Sequence, residues 1–335
     1  MNLRCHHSLV NISESFENVT IKGDGVGRRQ RRASGRRSWR VTLRRDWRLY
    51  TLVIAPLLFF AVFRYLPMIG NVIAFRQYLP GGPLFGVQWV GFYYFDQLVH
   101  DPSFWQVFEN TLILGGLSLL FGFPAPIILA LLLNEVFSRG PKRFVQSVSY
   151  LPHFLSTVVV AAIMMQGLDT NGIVNQAIGW FGHAPITFLD DPGWFRSVYV
   201  SSEVWQYAGW GTILYLAALT TIDPQLYESA MIDGANRWKQ TWHITLPGIR
   251  PTMIVVLILN IGTFMSVGFE KILLIYNPLT YPTADVLSTY LYRVGIVTGS
   301  FSYAAAIGLF ESVIGLVLVF ATNTFARRVL GAGLW

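Results

Sequence analysis

Carboxylates stranded in apolar surroundings are the first side chains here that could do chemistry, because an ionised group inside a membrane-like run is costly and faces a protein interior or a watery path. Glu109, Glu203, Glu270 and Glu311 are the candidates. Glu311 sits near the middle of its run, where pairing with a polar group on a neighbouring helix is the commoner explanation. Glu203 clusters with Trp205, Gln206, Tyr207 and Trp210, while Asn260, Phe264 and Glu270 fall on related helical positions further along. These groups set stacking faces beside hydrogen-bonding partners, although aromatic stripes more often serve packing. Other chemistries find no support. No G-x-x-x-x-G-K-[ST] phosphate loop occurs, and His6, His7, His100, His153, His183 and His243 form no H-E-x-x-H pattern. Cys5 stands alone, so neither an intramolecular disulfide nor a thiolate metal cluster is expected, and no metal site is assigned.

The elements that must position these residues are membrane helices. The 335 residues are 53% hydrophobic, 15% aromatic and only 13% charged, the balance of an integral membrane protein. Apolar runs at about 49–75, 105–133, 146–168, 195–220, 252–276 and 302–326 each reach the roughly 20 residues that a bilayer core requires. They predict an all-α fold of six transmembrane helices over residues 49–335, with both termini on one side.

The net charge of +7 is concentrated at the start: residues 1–48 carry 12 Lys+Arg against Glu14, Glu17, Asp24 and Asp46. This basic stretch lacks apolar periodicity and is expected to be a disordered cytoplasmic tail. A nucleic-acid arm is the sharper reading of its arginines. Arginines directly before a first span, however, hold a tail in the cytoplasm and attract anionic lipid, which accounts for them more simply. A cleaved signal peptide is not expected, because the apolar run continues through Arg64 and Pro67 without a small-residue cleavage pattern. With the tail inside, Arg139, Lys142, Arg143, Arg237, Lys239, Arg250, Arg327 and Arg328 fall on the same side, against Arg76, Arg196, Lys271 and Arg293 outside. The positive-inside rule therefore places the loop 222–250 in the cytoplasm.

That loop contains a polar island, LYESAMIDGANRWKQTWHITLP, from Leu226 to Pro247. Asp223 and Pro224 form a helix start. Leu226, Tyr227, Ala230, Met231 and Gly234 recur on one side of the helix, with Glu228, Ser229 and Asp233 on the other. Gly234 is the expected stop. Asn236 then caps a second short helix bearing Trp238 and Trp242, and Pro247 precedes the next apolar run. A helix–turn–helix bracket at the membrane surface results.

The order of residues in this bracket resembles the EAA motif of ABC-importer permeases, with Glu228, Ser229, Ala230, Gly234, Ile244, Leu246 and Pro247 in its places. Asp233 belongs to the same matched stretch. Ser229 departs from the motif's alanine, a small-for-small change. From about residue 45 to the end, FRYLPMIGNVIAFRQY, WVGFYYF, SYLPHFLS, DGANRWKQTWHITLPGIRP, FEKILLIYNP and the terminal GLW are similar to oligosaccharide-type (LplB-like) permeases. Within that likeness Ser288 stands where an acidic residue is expected.

The resemblance implies a type I ABC importer permease fold in the bacterial plasma membrane, with the bracket as the loop that docks on an ATPase. It implies a second, similar permease, two cytoplasmic nucleotide-binding ATPase subunits and an extracellular solute-binding protein as partners. No cofactor is bound by this chain; ATP and Mg are handled by the ATPase. Sugars present hydroxyls around apolar ring faces, so Glu203, Trp205, Gln206, Tyr207, Trp210, Asn260, Phe264 and Glu270 become candidates for an oligosaccharide path. Two other classes compete. A membrane-embedded lipid- or glycan-modifying enzyme requires a polar catalytic cluster at one membrane face, and none is visible. An ion-coupled carrier requires inverted repeats with broken helices; no convincing internal repeat is present, although Pro124 and Pro126 interrupt the second span.

Overall fold

A computed structural model describes residues 47–136 and 138–330. The arginine-rich tail up to residue 46, Cys5 and the terminal Gly-Leu-Trp lie outside those residues. The first of two compact units, described from residue 47 to 65, is helix α1 (Trp47–Phe60) running into a π-turn at Ala61–Tyr65. None of its described residues is buried.

The second unit, from Leu66 onward, opens with a helical turn at Leu66–Met68, a 3₁₀ segment at Ile69–Phe75 and an antiparallel ribbon of β1 (Arg76–Gln77) and β2 (Gln88–Trp89), pairing Arg76 with Trp89 and Gln77 with Gln88. The Ser302 hydroxyl holds this ribbon by donating to the Arg76 carbonyl at 2.8 Å and accepting from Tyr78 N–H at 2.9 Å. Helices α2 (Tyr93–His100), α3 (Pro102–Gly122), α4 (Pro124–Glu135), α5 (Arg139–Tyr150), α6 (Thr157–Leu168) and α7 (Ile173–Trp180) follow. Then come α8 (Pro192–Leu219), α9 (Pro224–Ile232), α10 (Arg237–Gln240), α11 (Leu246–Gly262), α12 (Phe269–Ile275), α13 (Tyr281–Ala284), α14 (Leu287–Tyr292) and α15 (Phe301–Phe325).

Three of these helices begin with the same local device. Asp101, Asp191 and Asp223 accept from the N–H groups of Ser103, Gly193 and Gln225 at 2.9, 2.8 and 2.9 Å. The proline that follows each Asp occupies the first turn, where a backbone N–H has no helical partner to lose.

Among the described residues, five runs are long and apolar enough to cross a membrane: Trp47–Phe75, Pro102–Glu135, Thr157–Trp180, Arg237–Gly262 and Phe301–Arg328. The expected run 195–220 falls on α8. Its 28 residues span about 42 Å at 1.5 Å per residue, which exceeds the hydrocarbon core, but the helix is too polar to qualify by apolarity. Two expected spans are corrected. The run 146–168 is broken by a 3₁₀ turn at Leu151–Phe154 containing Pro152, and Ser156 caps a fresh helix by accepting from Val159 N–H at 3.4 Å. The run 252–276 ends at Gly262; the chain turns through Thr263–Gly268, and α12 is a separate element.

The long helix α8 runs through the middle of this packing, against α3, α4, α5 and α11. Glycine makes that approach feasible. A side chain at Gly209 would strike the Ser149 carbonyl, and one at Gly211 would come within 2.9 Å of Pro126. Thr212 completes the seam by donating to the Pro126 carbonyl at 3.3 Å. Small residues at such crossings are a recurrent solution inside membranes, where dispersion contacts and hydrogen bonds hold helices together.

Candidate functional site

One face of α8 carries Tyr199, Glu203, Tyr207, Trp210 and Leu214 at successive i, i+3 or i+4 positions, and all five line a cavity of about 490 Å³. Gly115 and Ser118 of α3, and Asn260, Thr263, Phe264 and Ser266 from the end of α11 and its turn, complete the wall. Of the candidate path residues, Glu203, Tyr207, Trp210, Asn260 and Phe264 are thus brought together. Trp205, Gln206 and Glu270 are not. Trp205 points to another side of α8, into an apolar groove with Phe121 and Val204. Gln206 is buried and donates to the Leu155 carbonyl at 3.4 Å. Glu270 is exposed on α12.

Ser118, Thr263 and Ser266 of the wall carry no signal in the sequence, nor does His153, which packs on the wall residue Trp210. His153 stacks on Trp210 with ring centroids 4.4 Å apart and planes 7° from parallel. Ser266 donates to Glu311 Oε1 at 3.1 Å, so the acid in the middle of the last span is paired with a residue of the cavity wall. Ser288, at the position where an acid was expected, donates to the Val267 carbonyl at 3.5 Å. Lys271, counted among the outer-side cations near the end of the run 252–276, is buried behind the wall, donating to Glu203 and lying 3.4 Å from Ser202 Oγ. Gly268 makes this placement feasible. Its φ of +49° is left-handed, and a side chain there would strike the Tyr199 hydroxyl.

The bracket at 222–250 forms a second site. Helix α9 stops at Asp233, and Gly234, at φ +75°, turns the chain so that Ala235 N–H reaches the Ala230 carbonyl at 2.8 Å. Asn236 caps the next arm by accepting from Lys239 N–H at 2.9 Å. That arm is not a separate short helix: α10 passes through a π-turn at Thr241–Thr245 directly into α11, with Ile244, Leu246 and Pro247 inside the run. The arms are joined by Tyr227 and Thr245, whose hydroxyls lie 3.0 Å apart, and by Gln240, which donates to the Ala235 carbonyl at 3.0 Å. Ser229 turns its hydroxyl back to the Gln225 carbonyl at 2.9 Å. No residue of α9 is buried; Glu228 is exposed, and Ile232 is 87% exposed.

A third polar group lies where α3, α14 and α15 begin or meet. Asp101 Oδ2 accepts from the hydroxyls of Tyr290 at 2.6 Å and Tyr303 at 2.8 Å. Burial pushes the Asp101 carboxyl up, but these two bonds and backbone N–H groups together hold it below its ordinary value. Burial and the adjacent Asp101 push Tyr290 up to about 12. Nearby, Asp285 accepts from Arg293 at 2.5 Å and from Thr289 at 2.8 Å, yet burial keeps its carboxyl above the ordinary value.

Residues 122–331 match the family described as "Binding-protein-dependent transport system inner membrane component". The chain is 47% identical over 289 residues to Protein LplB of Bacillus subtilis (strain 168), covering 86% of this chain and 91% of that relative. It is 43% identical over 288 residues to the polygalacturonan/rhamnogalacturonan transport system permease protein YteP of the same organism, covering 86% and 90%. Among solved structures it is similar to a bacterial alginate ABC transporter in complex with an alginate pentasaccharide-bound periplasmic protein, with a TM-score of 0.83, 45% identity, and coverage of 89% of this chain and 100% of that one.

Proposed function

This chain belongs to the family of binding-protein-dependent transport system inner membrane components, with the type I ABC importer permease fold, and from that premise we propose the following role. It is the permease subunit of an ATP-driven oligosaccharide importer, forming half of the translocation path and coupling it to a cytoplasmic ATPase. One observation carries the reading: the aromatic and polar face of α8, from Tyr199 to Trp210, opens on a cavity shared with Asn260 and Phe264. Ring faces stack on apolar sugar faces, while amide and hydroxyl groups pair with sugar hydroxyls.

The exposed bracket is the docking element for the ATPase, with Glu228, Ser229, Ala230, Asp233, Gly234, Ile244, Leu246 and Pro247 as its coupling residues. A second permease supplies the other half of the path, and an extracellular solute-binding protein delivers the cargo. Both termini are cytoplasmic. ATP and Mg bind the partner ATPases, and this chain performs no bond chemistry.

Uptake by proteoliposomes containing the assembled complex tests the path. Tyr207→Ala, Asn260→Ala and Phe264→Ala are expected to slow transport or change the preferred oligosaccharide length, normalised to folded complex. Trp205→Ala, off the cavity, leaves preference unchanged. Wild-type rates and preferences in all three cavity variants would place the path elsewhere.

A further inference from the structure

Lys271 is 2% exposed, in a setting where a cation must find a counter-charge or lose its proton. Its Nζ donates to Glu203 Oε1, lies 3.4 Å from Ser202 Oγ, and sits 5.5 and 5.9 Å from the ring centroids of Tyr207 and Tyr199. Glu203, Tyr199 and Tyr207 all line the cavity, and Lys271 stands directly behind them. Glu203 is the acid on that lining; Glu311 lies one layer back, held by Ser266, and Glu270 is exposed beside Lys271.

A buried ion pair is a poor device for stability alone, because well-packed apolar residues of the same volume often serve as well. Its position suits another use. We propose that Lys271 is the counter-charge that keeps this wall electrically neutral, so that sugars bearing carboxylates pass it as readily as neutral ones. This rests on the carbohydrate reading above. An unpaired Glu203 would repel a passing carboxylate by enough to slow it on the order of tenfold to hundredfold in a poorly hydrated wall. A neutral sugar would meet no such barrier.

The test uses the full chain assembled with its partner subunits in proteoliposomes, offered a uronic-acid trisaccharide or a neutral hexose trisaccharide. Lys271→Met is expected to lower uronate uptake at least tenfold and to leave neutral uptake within about threefold. The double variant Glu203→Gln/Lys271→Met, neutral again, is expected to return the ratio of uronate to neutral uptake to its wild-type value, whatever the loss of the path carboxylate does to the rate of both. If Lys271→Met proves poorly folded, the charge-swapped Glu203→Lys/Lys271→Glu provides the comparison: it retains neutrality and is expected to keep the wild-type ratio of uronate to neutral uptake. Equal losses for both sugars in Lys271→Met, or no recovery of the ratio in either neutral double variant, would overturn the counter-charge role. A wild-type complex that transports neither sugar would overturn the carbohydrate reading instead.

Discussion

Gly234 has open space where a side chain would begin, yet its φ of +75° is a conformation that L side chains rarely adopt. The constraint is therefore conformational, and a residue with a Cβ costs roughly 1–2 kcal/mol there. Gly234→Val is expected to distort the turn after α9, and Glu228→Lys to reverse an exposed charge at little cost to folding, within about 0.5 kcal/mol. Both variants should insert and assemble, while substrate-stimulated ATP turnover and uptake collapse. Measuring both against the amount of complex decides the matter; wild-type uptake by both would remove the bracket from coupling. Asp101 supports a different prediction. A carboxyl held below its ordinary value contributes stability that is complete above the usual carboxylate range, near pH 4, and is lost as pH falls through the lowered value. The thermal midpoint of the purified protein should therefore drop on acidification through that window, and Asp101→Asn should remove part of the dependence. An unchanged slope in the variant would show that the tyrosine bonds contribute nothing.

At the scale of elements, the bracket is closed on itself by hydrogen bonds, and its Arg237 lies 3.8 Å from Glu135 at the end of α4. Tyr227 to Thr245 and Gln240 to Ala235 join its arms, whereas α9 buries no residue. Losing one such hydrogen bond typically costs about 1 kcal/mol. Tyr227→Phe is thus expected to leave the fold intact and to lower coupling efficiency, read as ATP hydrolysed per sugar imported. The seam around α8 has less tolerance. Gly209 faces the Ser149 carbonyl with no room for a side chain, so Gly209→Leu is expected to force α8 and α5 apart and to lower the yield of folded protein. A normal yield would mean that the crossing has slack.

At the scale of the whole molecule, the chain supplies path and docking surface while its fuel is bound elsewhere. Purified alone, it is expected to show no ATPase activity and to gain it only on assembly with a nucleotide-binding subunit. Turnover by the contaminant-free chain would refute this. Deleting residues 2–38 should leave transport nearly normal, because Arg40, Arg44, Arg45 and Arg48 remain to fix topology by their charge. Loss of uptake despite normal insertion would reveal a specific partner for the tail.

What the sequence determined by itself was local. The Asp223–Pro224 start, the Gly234 turn and the Asn236 cap are written in a few adjacent residues, and each acts on backbone groups within three positions. Hydropathy likewise found the membrane class, because lipid exposure imposes composition along a whole run. Tertiary structure decided which faces meet. Helical spacing relates Tyr199, Glu203, Tyr207 and Trp210, but only packing against α3 and the turn after α11 turns that face into a cavity and leaves Trp205 outside it. The same holds for breaks inside apolar runs. Hydropathy reads 252–276 as continuous, whereas Thr263–Gly268 bends the chain and buries Lys271 against Glu203. A linear count of charges places that lysine at the outer end of the run without a partner, because the carboxylate that makes its burial tolerable is 68 residues away and becomes a neighbour only when α8 and α12 come together.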